Sequence, residues 1–266
     1  MKILFSTGCI YYLPIREIFI LAKEAGFDGC DLVIDWHFNK PEYLYTVKEC
    51  CQILPVYSIH APFLKIDTWG SKTNAIIQTV RIAQELNAGI INFHPPSWFS
   101  AELIFFKSFR KIEDFQKSLG AEGIRLTIEN MPMVGKKLML TPYILNDYKD
   151  LIEYGLKRNL DFTFDTTHLG TFGIDPVVGF LSFFKTGRLR NIHISDYNET
   201  ESHLILGRGN MPVAKFLNTL RRLNYNGMIT LEVSTGELPR AREWMIKMMK
   251  YQLSILKFHL GLDNHG

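Results

Sequence analysis

No stretch of this sequence approaches the roughly 18 consecutive apolar residues that cross a bilayer, which argues for a soluble chain with no membrane partner. The opening M-K-I-L-F-S-T-G has an apolar run too short for the core of a secretion signal and meets Gly8 at once. Cysteine is scarce: Cys9, Cys30, Cys50 and Cys51 lie in the first fifth of the chain, without C-x-x-C or zinc-ribbon spacing. Adjacent Cys50 and Cys51 do not suit a disulfide, so the expected location is a reducing cytoplasm. Net charge is small, since 30 Lys and Arg face 27 Asp and Glu for a formal +3. That balance tolerates an anionic ligand but does not by itself argue for nucleic acid. No Pro/Gly/Ser-rich linker or low-complexity tract splits the chain, and the first turn lacks the G-x-G-x-x-G of dinucleotide-binding folds.

With 47% hydrophobic and 21% charged residues, the chain has ample material for a core. Its organisation is alternation. Short runs rich in Val, Ile, Phe and Thr begin near Ile3, Cys30, Val56, Gly89, Arg125, Asp161, Arg190 and Met228. Each is followed by a stretch with helical spacing of apolar positions, expected over 15–26, 74–88, 101–119, 143–158, 213–223 and 238–260. Eight strand-then-helix units in about 260 residues, roughly 32 each, are the density of a (β/α)8 TIM barrel. A doubly wound open sheet is the competing architecture. The reading is α/β, one barrel domain over residues 1–266. The longer departures, at 131–141 and 195–211, are loops of functional size, and function is expected at the C-terminal ends of the strands.

Six of those ends carry a group able to bind metal. V-Y-S-I-H-A-P delivers His60, I-I-N-F-H-P-P delivers His94, and L-T-I-E-N-M-P delivers Glu129. L-D-F-T-F-D-T-T-H-L-G gives Asp165 and His168, and N-I-H-I-S-D-Y gives His193. The loop E-S-H-L-I-L-G-R-G adds Glu201 and His203, and I-T-L-E-V-S gives Glu232. Singly, each has a plain structural explanation: a hydrogen-bonded histidine, or a carboxylate capping a helix, as Asp165 could. Together they put five of the eight histidines and four carboxylates at one rim. Packed without cations, such groups would strain one another's protonation states. Divalent metals remove the conflict, Glu129 can bridge two of them, and metal-bound water becomes a nucleophile near neutral pH.

These strand ends resemble the xylose-isomerase-like barrel superfamily and, within it, apurinic/apyrimidinic endonuclease family 2, the endonuclease IV-like group. The resemblance runs from the third strand to the eighth through H-A-P-F, N-F-H-P, I-E-N, D-T-T-H, N-I-H-I-S-D, E-S-H and L-E-V. It implies two or three Zn2+ ions: His60, His94 and Glu129 around the first, Glu129, Asp165, His193 and Glu232 around the second, and His168, Glu201 and His203 around the third. It also implies phosphodiester hydrolysis beside an abasic site in DNA. Several residues depart from that pattern. Glu201 stands where the family has Asp, E-N-M replaces E-N-T, and G-R-G replaces G-E-G, placing Arg208 by the mouth. The second-strand loop, D-W-H-F-N-K-P-E-Y, lacks the arginine-bearing insertion that endonuclease IV pushes into DNA. Lys136, Lys137, Arg188 and Arg190 are scattered and form no DNA track.

The alternative within the superfamily is a sugar isomerase or epimerase holding one Mn2+, Mg2+ or Co2+ through Glu129, Asp165, His193 and Glu232. There Glu129 and Glu232 would act as acid and base on a sugar or sugar phosphate. His60, His94 and His168 would hydrogen-bond its hydroxyls, and Trp36, Phe63 and Trp98 would wall the pocket. Catalysis on either reading is expected from Glu129, Glu232 and His168.

Overall fold

The computed structural model describes residues 1–98, 102–133 and 142–262. Eight strands follow in order: β1 (Lys2–Ser6), β2 (Gly29–Val33), β3 (Val56–His60), β4 (Ile90–Phe93), β5 (Arg125–Glu129), β6 (Asp161–Asp165), β7 (Leu189–Ile194) and β8 (Met228–Leu231). Each pairs parallel with the next and β8 pairs with β1, closing the expected (β/α)8 barrel. Around it lie α1 (Ile15–Ala25), α2 (Pro41–Cys50), α3 (Lys72–Leu86), α4 (Leu103–Lys111), α5 (Phe115–Ser118) and α6 (Tyr148–Lys157). These are followed by α7 (Thr166–Gly170), α8 (Pro176–Phe184), α9 (Val213–Arg222) and α10 (Arg242–Leu260). Among the described residues no helix is long and apolar enough to cross a membrane.

Three helices differ from the sequence expectation, each for a local reason. The run expected over 101–119 breaks into α4 and α5, because Ile112 turns extended and Asp114 caps α5 by accepting from Lys117 N at 3.0 Å. The helix expected from residue 143 starts five residues later, where Asp147 accepts from Lys149 N at 2.7 Å. Tyr143 instead forms an antiparallel bridge with Ser97. The last helix starts at Arg242 rather than 238, since Leu238 precedes Pro239 and is turned away from helical geometry. Of the loop expected at 131–141, only 131–133 lie within the described residues.

Strand alternation sorts the side chains into two environments. Leu126 and Ile128, Phe162 and Phe164, Ile192 and Ile194, and Ile229 and Leu231 enter the continuous apolar core between barrel and helices. Their neighbours point into the bore, which barrels usually fill with branched apolar residues. Here the β5–β8 side is polar: Thr127, Thr163, Asn191 and Thr230 are fully buried. Thr127 and Thr163 hydroxyls lie 2.8 Å apart, and Asn191 Nδ2 donates to Thr230 Oγ1 at 2.9 Å. Each Phe buried in the outer layer is worth about 1.5–3 kcal/mol, and Phe162, Phe164, Phe180, Phe183 and Phe216 interlock there at 5.3–6.2 Å between ring centres. Helix α8 packs tightly against α7 at Gly179, where a Cβ would lie 2.1 Å from the Leu169 side chain.

Candidate metal centre

Glu129 ends β5 with 1% of its side chain exposed and four imidazoles around it. Its Oε2 lies 3.4 Å from His60 Nε2 and 3.5 Å from His94 Nε2. Its Oε1 lies 3.4 Å from both His168 Nδ1 and His193 Nδ1. Asn92 Nδ2 also donates to Oε2. Buried anions survive only when compensated; burial would raise this carboxyl, but the field of His193, together with the nearby His168 and His60 imidazoles, outweighs it and holds the carboxyl well below its ordinary range.

Two histidine pairs flank this carboxylate. His60 Nδ1–H donates to the Ala61 carbonyl at 2.8 Å, and His60 Nε2 faces His94 Nε2 at 3.1 Å. His168 Nδ1 lies 2.9 Å from the Asn130 carbonyl, so it carries the hydrogen. His203 Nδ1 reaches the Glu232 carbonyl and Ser195 Oγ, and the two free Nε2 atoms face each other at 3.3 Å. Assigned from these partners, the second pair points lone pair at lone pair. Two nitrogens at roughly 2.0–2.1 Å from one tetrahedral ion lie about 3.3 Å apart, so both pairs have the bite of a metal site. Without metal a proton must serve. Burial opposes it, but Asp165 and Glu129 push His168 up to about 9, whereas burial lowers His94 to about 4.

The donors fall into three groups, each with ligand atoms within 4.8 Å of one another: His60, His94 and Glu129; Asp165, His168 and His203; and Glu129, Asp165, His193 and Glu232. Asp165 is a cap and a donor at once. Its Oδ1 accepts from His168 N at 2.7 Å to start α7, while Oδ2 is buried without a hydrogen bond. Neither ring nitrogen of His193 has a hydrogen bond, although Nδ1 lies 2.7 Å from Glu232 Oε2. Against burial, His193 draws Glu232 down to about 2. Orphaned buried donors of this kind, in oxygen and nitrogen sets, fit a divalent ion.

The rim differs from the sequence expectation. Glu201 does not join the third group, whose carboxylate is Asp165. Its longer side chain lies at the surface, 3.2 Å from Arg208 Nη2 and within reach of Asn198. Arg208 pairs with Glu237 as well, so its charge is spent along the loop rather than aimed into the mouth. Phe63 is half exposed and lies 6.3 Å from the His60 ring and 6.4 Å from the His94 ring, lining the His60 side. Trp36, 62% exposed, stacks on His37, and Trp98, 60% exposed, leans on Phe106. Neither has a described ring contact with the cluster.

The loop over 195–211 is fastened by Asp196. Its carboxylate accepts from Tyr197 N at 2.8 Å and from Gly207, Gly209 and Met211 N at 2.9 Å each. Gly207 has φ +89°, and a Cβ on Gly209 would lie 2.3 Å from the Tyr197 carbonyl. The two glycines of G-R-G are therefore demanded by this clasp. It also holds His203 at φ +55°, a left-handed conformation uncommon for a residue with a side chain, where its carbonyl accepts from Ser234 N at 2.7 Å.

Sequence reasoning missed the supporting polar residues. Asn130 holds the backbone of Asp165 from both sides, donating to its carbonyl at 2.9 Å and accepting from its N–H at 2.8 Å. Tyr143 lies against His94 at 6.2 Å between ring centres. Asp31 and Ser58 are buried in the bore. The alternation of strands such as N-F-H and L-T-I-E-N marks Asn92 as inward-facing; nothing local marks Tyr143.

Residues 19–251 match the family described as xylose isomerase-like TIM barrel. An uncharacterised protein of Mycobacterium tuberculosis is 25% identical over 98% of both chains, and one of Methanocaldococcus jannaschii is 25% identical over 86% of this chain and 83% of its own. Among solved structures, a D-tagatose 3-epimerase-like protein superposes with TM-score 0.74 at 21% identity, covering 99% of this chain and 98% of that one. D-psicose 3-epimerase from Clostridium cellulolyticum H10 gives 0.74 at 12%, covering 98% and 99%. The 3-keto-D-glucoside 4-epimerase of E. coli gives 0.69 at 16%, covering 97% and 99%. The chain belongs to the xylose isomerase-like TIM barrel family.

Proposed function

We propose that the protein is a divalent-metal isomerase or epimerase acting on a small polyhydroxylated carbonyl compound, a sugar or sugar phosphate, with residues 1–266 as one functional unit. The observation that carries this reading is the group Glu129, Asp165, His193 and Glu232, supplied by β5 to β8, with one glutamate deep and the other at the opening. One Mn2+, Mg2+ or Co2+ held there would polarise the substrate's carbonyl and make the neighbouring C–H acidic. Glu232, 23% exposed and ionised at neutral pH, is the carboxylate that a substrate meets first and takes that proton. Glu129 would pass a proton to the other side, drawn from the protonated His168 imidazole 3.4 Å away, so the carbon is inverted or the carbonyl shifted with no oxidant consumed. His168 and His203 sit where they can hydrogen-bond hydroxyls, as do His60 and His94 beside Phe63. The fold shared with several sugar epimerases supports this class, and the free cysteines suit a reducing cytoplasm.

The test is incubation of Mn2+-loaded protein with a panel of ketoses and their phosphates in D2O. Deuterium should enter at the carbon beside the carbonyl and the epimer or isomer should appear. No exchange on any member of the panel would reject the reading.

A second reading is favoured by one observation, the two facing Nε2 pairs, which a single-ion enzyme does not need. They suit a two- or three-zinc hydrolase cutting a phosphodiester beside an abasic site in DNA. Two to three zinc per chain and nicking of an abasic duplex would establish it; about one ion and no nicking would remove it.

A further inference from the structure

Exposed large apolar side chains are sparse on the barrel's helices, with one exception. Among the described residues, α2, α4, α6 and α8 each carry a single one: Tyr45, Ile104, Leu156 and Val178. Helix α10 carries three aromatic rings, Trp244, Tyr251 and Phe258, which are 61%, 58% and 67% exposed. They stand seven residues apart, so all three lie on one line along the helix, about 10 Å from each to the next. Met248 and Ile255 are partly buried beside that line, and Leu262 follows just past the helix end, 38% exposed. From Trp244 to Leu262 the apolar steps are 4-3-4-3-4, the spacing of a helix–helix seam. The other face of α10, with Met245, Met249, Leu253, Leu256 and Leu260, is buried against the barrel, and α1 and α9 flank it. One helix thus has two apolar faces, and the barrel covers one of them.

We propose that a second copy of this chain docks on the open face, α10 against α10, antiparallel about a two-fold axis at Tyr251. A two-fold interface must be complementary to itself, and this stripe is. In that register Trp244 meets the partner's Phe258, Met248 meets the partner's Ile255, and Tyr251 meets its own copy. Charge selects the same orientation. Glu243 comes opposite the partner's Lys257, twice by symmetry, whereas a parallel pair would set each against its like. Glu243 holds Lys247 at 2.8 Å but is 77% exposed on its side chain, which leaves room for a second cation. Lys250, exposed near the axis, faces its own copy, and its long stem lets the ammonium turn to solvent. The area suffices for a small dimer. Three rings of about 150–250 Å² each, some 60% exposed, with Leu262 and a polar rim, give roughly 500–600 Å² per copy, the lower end of specific interfaces.

The experiment is sedimentation velocity on the full chain from about 1 to 200 µM, a range that brackets a small interface. The mass should rise with concentration from 30.8 kDa toward twice that value. Tyr251→Glu sets two like charges on the axis and should raise the dissociation constant roughly 30-fold or more. Lys257→Glu should weaken the dimer as well, and adding Glu243→Lys in the same chain should restore it to within about threefold of wild type, since the pair is only reversed. All three side chains lie at the surface, so circular dichroism and bound metal should match wild type in every variant. A monomer at every concentration, association untouched by Tyr251→Glu, or a double variant no better than Lys257→Glu alone would overturn the proposal. So would a monomer that pellets with vesicles of phosphatidylserine and phosphatidylcholine, which would give this aromatic and lysine-flanked face to a lipid surface.

Discussion

At the floor of the mouth, Glu129, Asp165 and His193 leave strand ends, are buried, and are held by neighbours such as Asn92 and Asn130. At the rim, Glu201, Arg208, Trp36 and Trp98 leave loops, are exposed, and satisfy one another or a local ring. The residue types overlap, yet only the floor converges. A strand end has its direction set by the pleat and the barrel closure together, whereas a loop side chain goes wherever its nearest opposite charge or apolar surface lies. The loop over 195–211 is the exception that explains the rule. It delivers His203 to the cluster because the Asp196 clasp gives it the fixity of a strand.

Substitutions at the two levels should therefore differ in scale. Glu129→Gln, at the centre of four imidazoles, should cost roughly 10²–10⁴-fold in turnover, together with loss of bound metal by elemental analysis. A variant that keeps both would place the floor and the rim on the same footing. His94→Ala separates the two functional readings: abasic-site cleavage should vanish, whereas sugar turnover should fall by about tenfold or less, because His94 is outside the four-donor group. Next comes the clasp. Asp196→Ala strips an acceptor from four backbone N–H groups and should lower unfolding free energy by about 3 kcal/mol or more in urea titrations. Gly209→Ala, forced against the Tyr197 carbonyl, should cost about 1–3 kcal/mol by the same measurement, and parity with wild type would mean that the loop is not held this way. Glu201→Ala is the smallest. Its exposed pair with Arg208 contributes little, so stability should stay within about 0.5 kcal/mol and metal stoichiometry should not change. A lost ion in that variant would restore Glu201 to the cluster.

The floor was legible because period-two strands write their own geometry. In F-T-F-D and L-T-I-E the apolar letters fall on one face and the polar letters on the other, so the last polar letter must point up the bore. Strand order then brought β3 to β8 to one rim. Glu201 was misplaced because E-S-H matches a ligand spacing while its real partner, Arg208, lies seven residues on across the loop. Nothing in sequence discloses that the Trp98 backbone N–H is tied to the Pro142 carbonyl at 2.7 Å, or that its ring leans on Phe106. Asp31 escaped notice for the opposite reason: in G-C-D-L-V it reads as one acid in a short strand, and only closure puts it below the histidines.

The polar bore has a consequence for how such a protein can change. Cohesion is concentrated in the sleeve of phenylalanine, leucine and isoleucine wrapped outside the strands, while the channel within contributes contacts that neighbours can exchange. Lineages are therefore free to rewrite the channel's chemistry position by position without dismantling the container. One architecture can accumulate unlike reactions this way, provided that the outward letters of each strand are left alone.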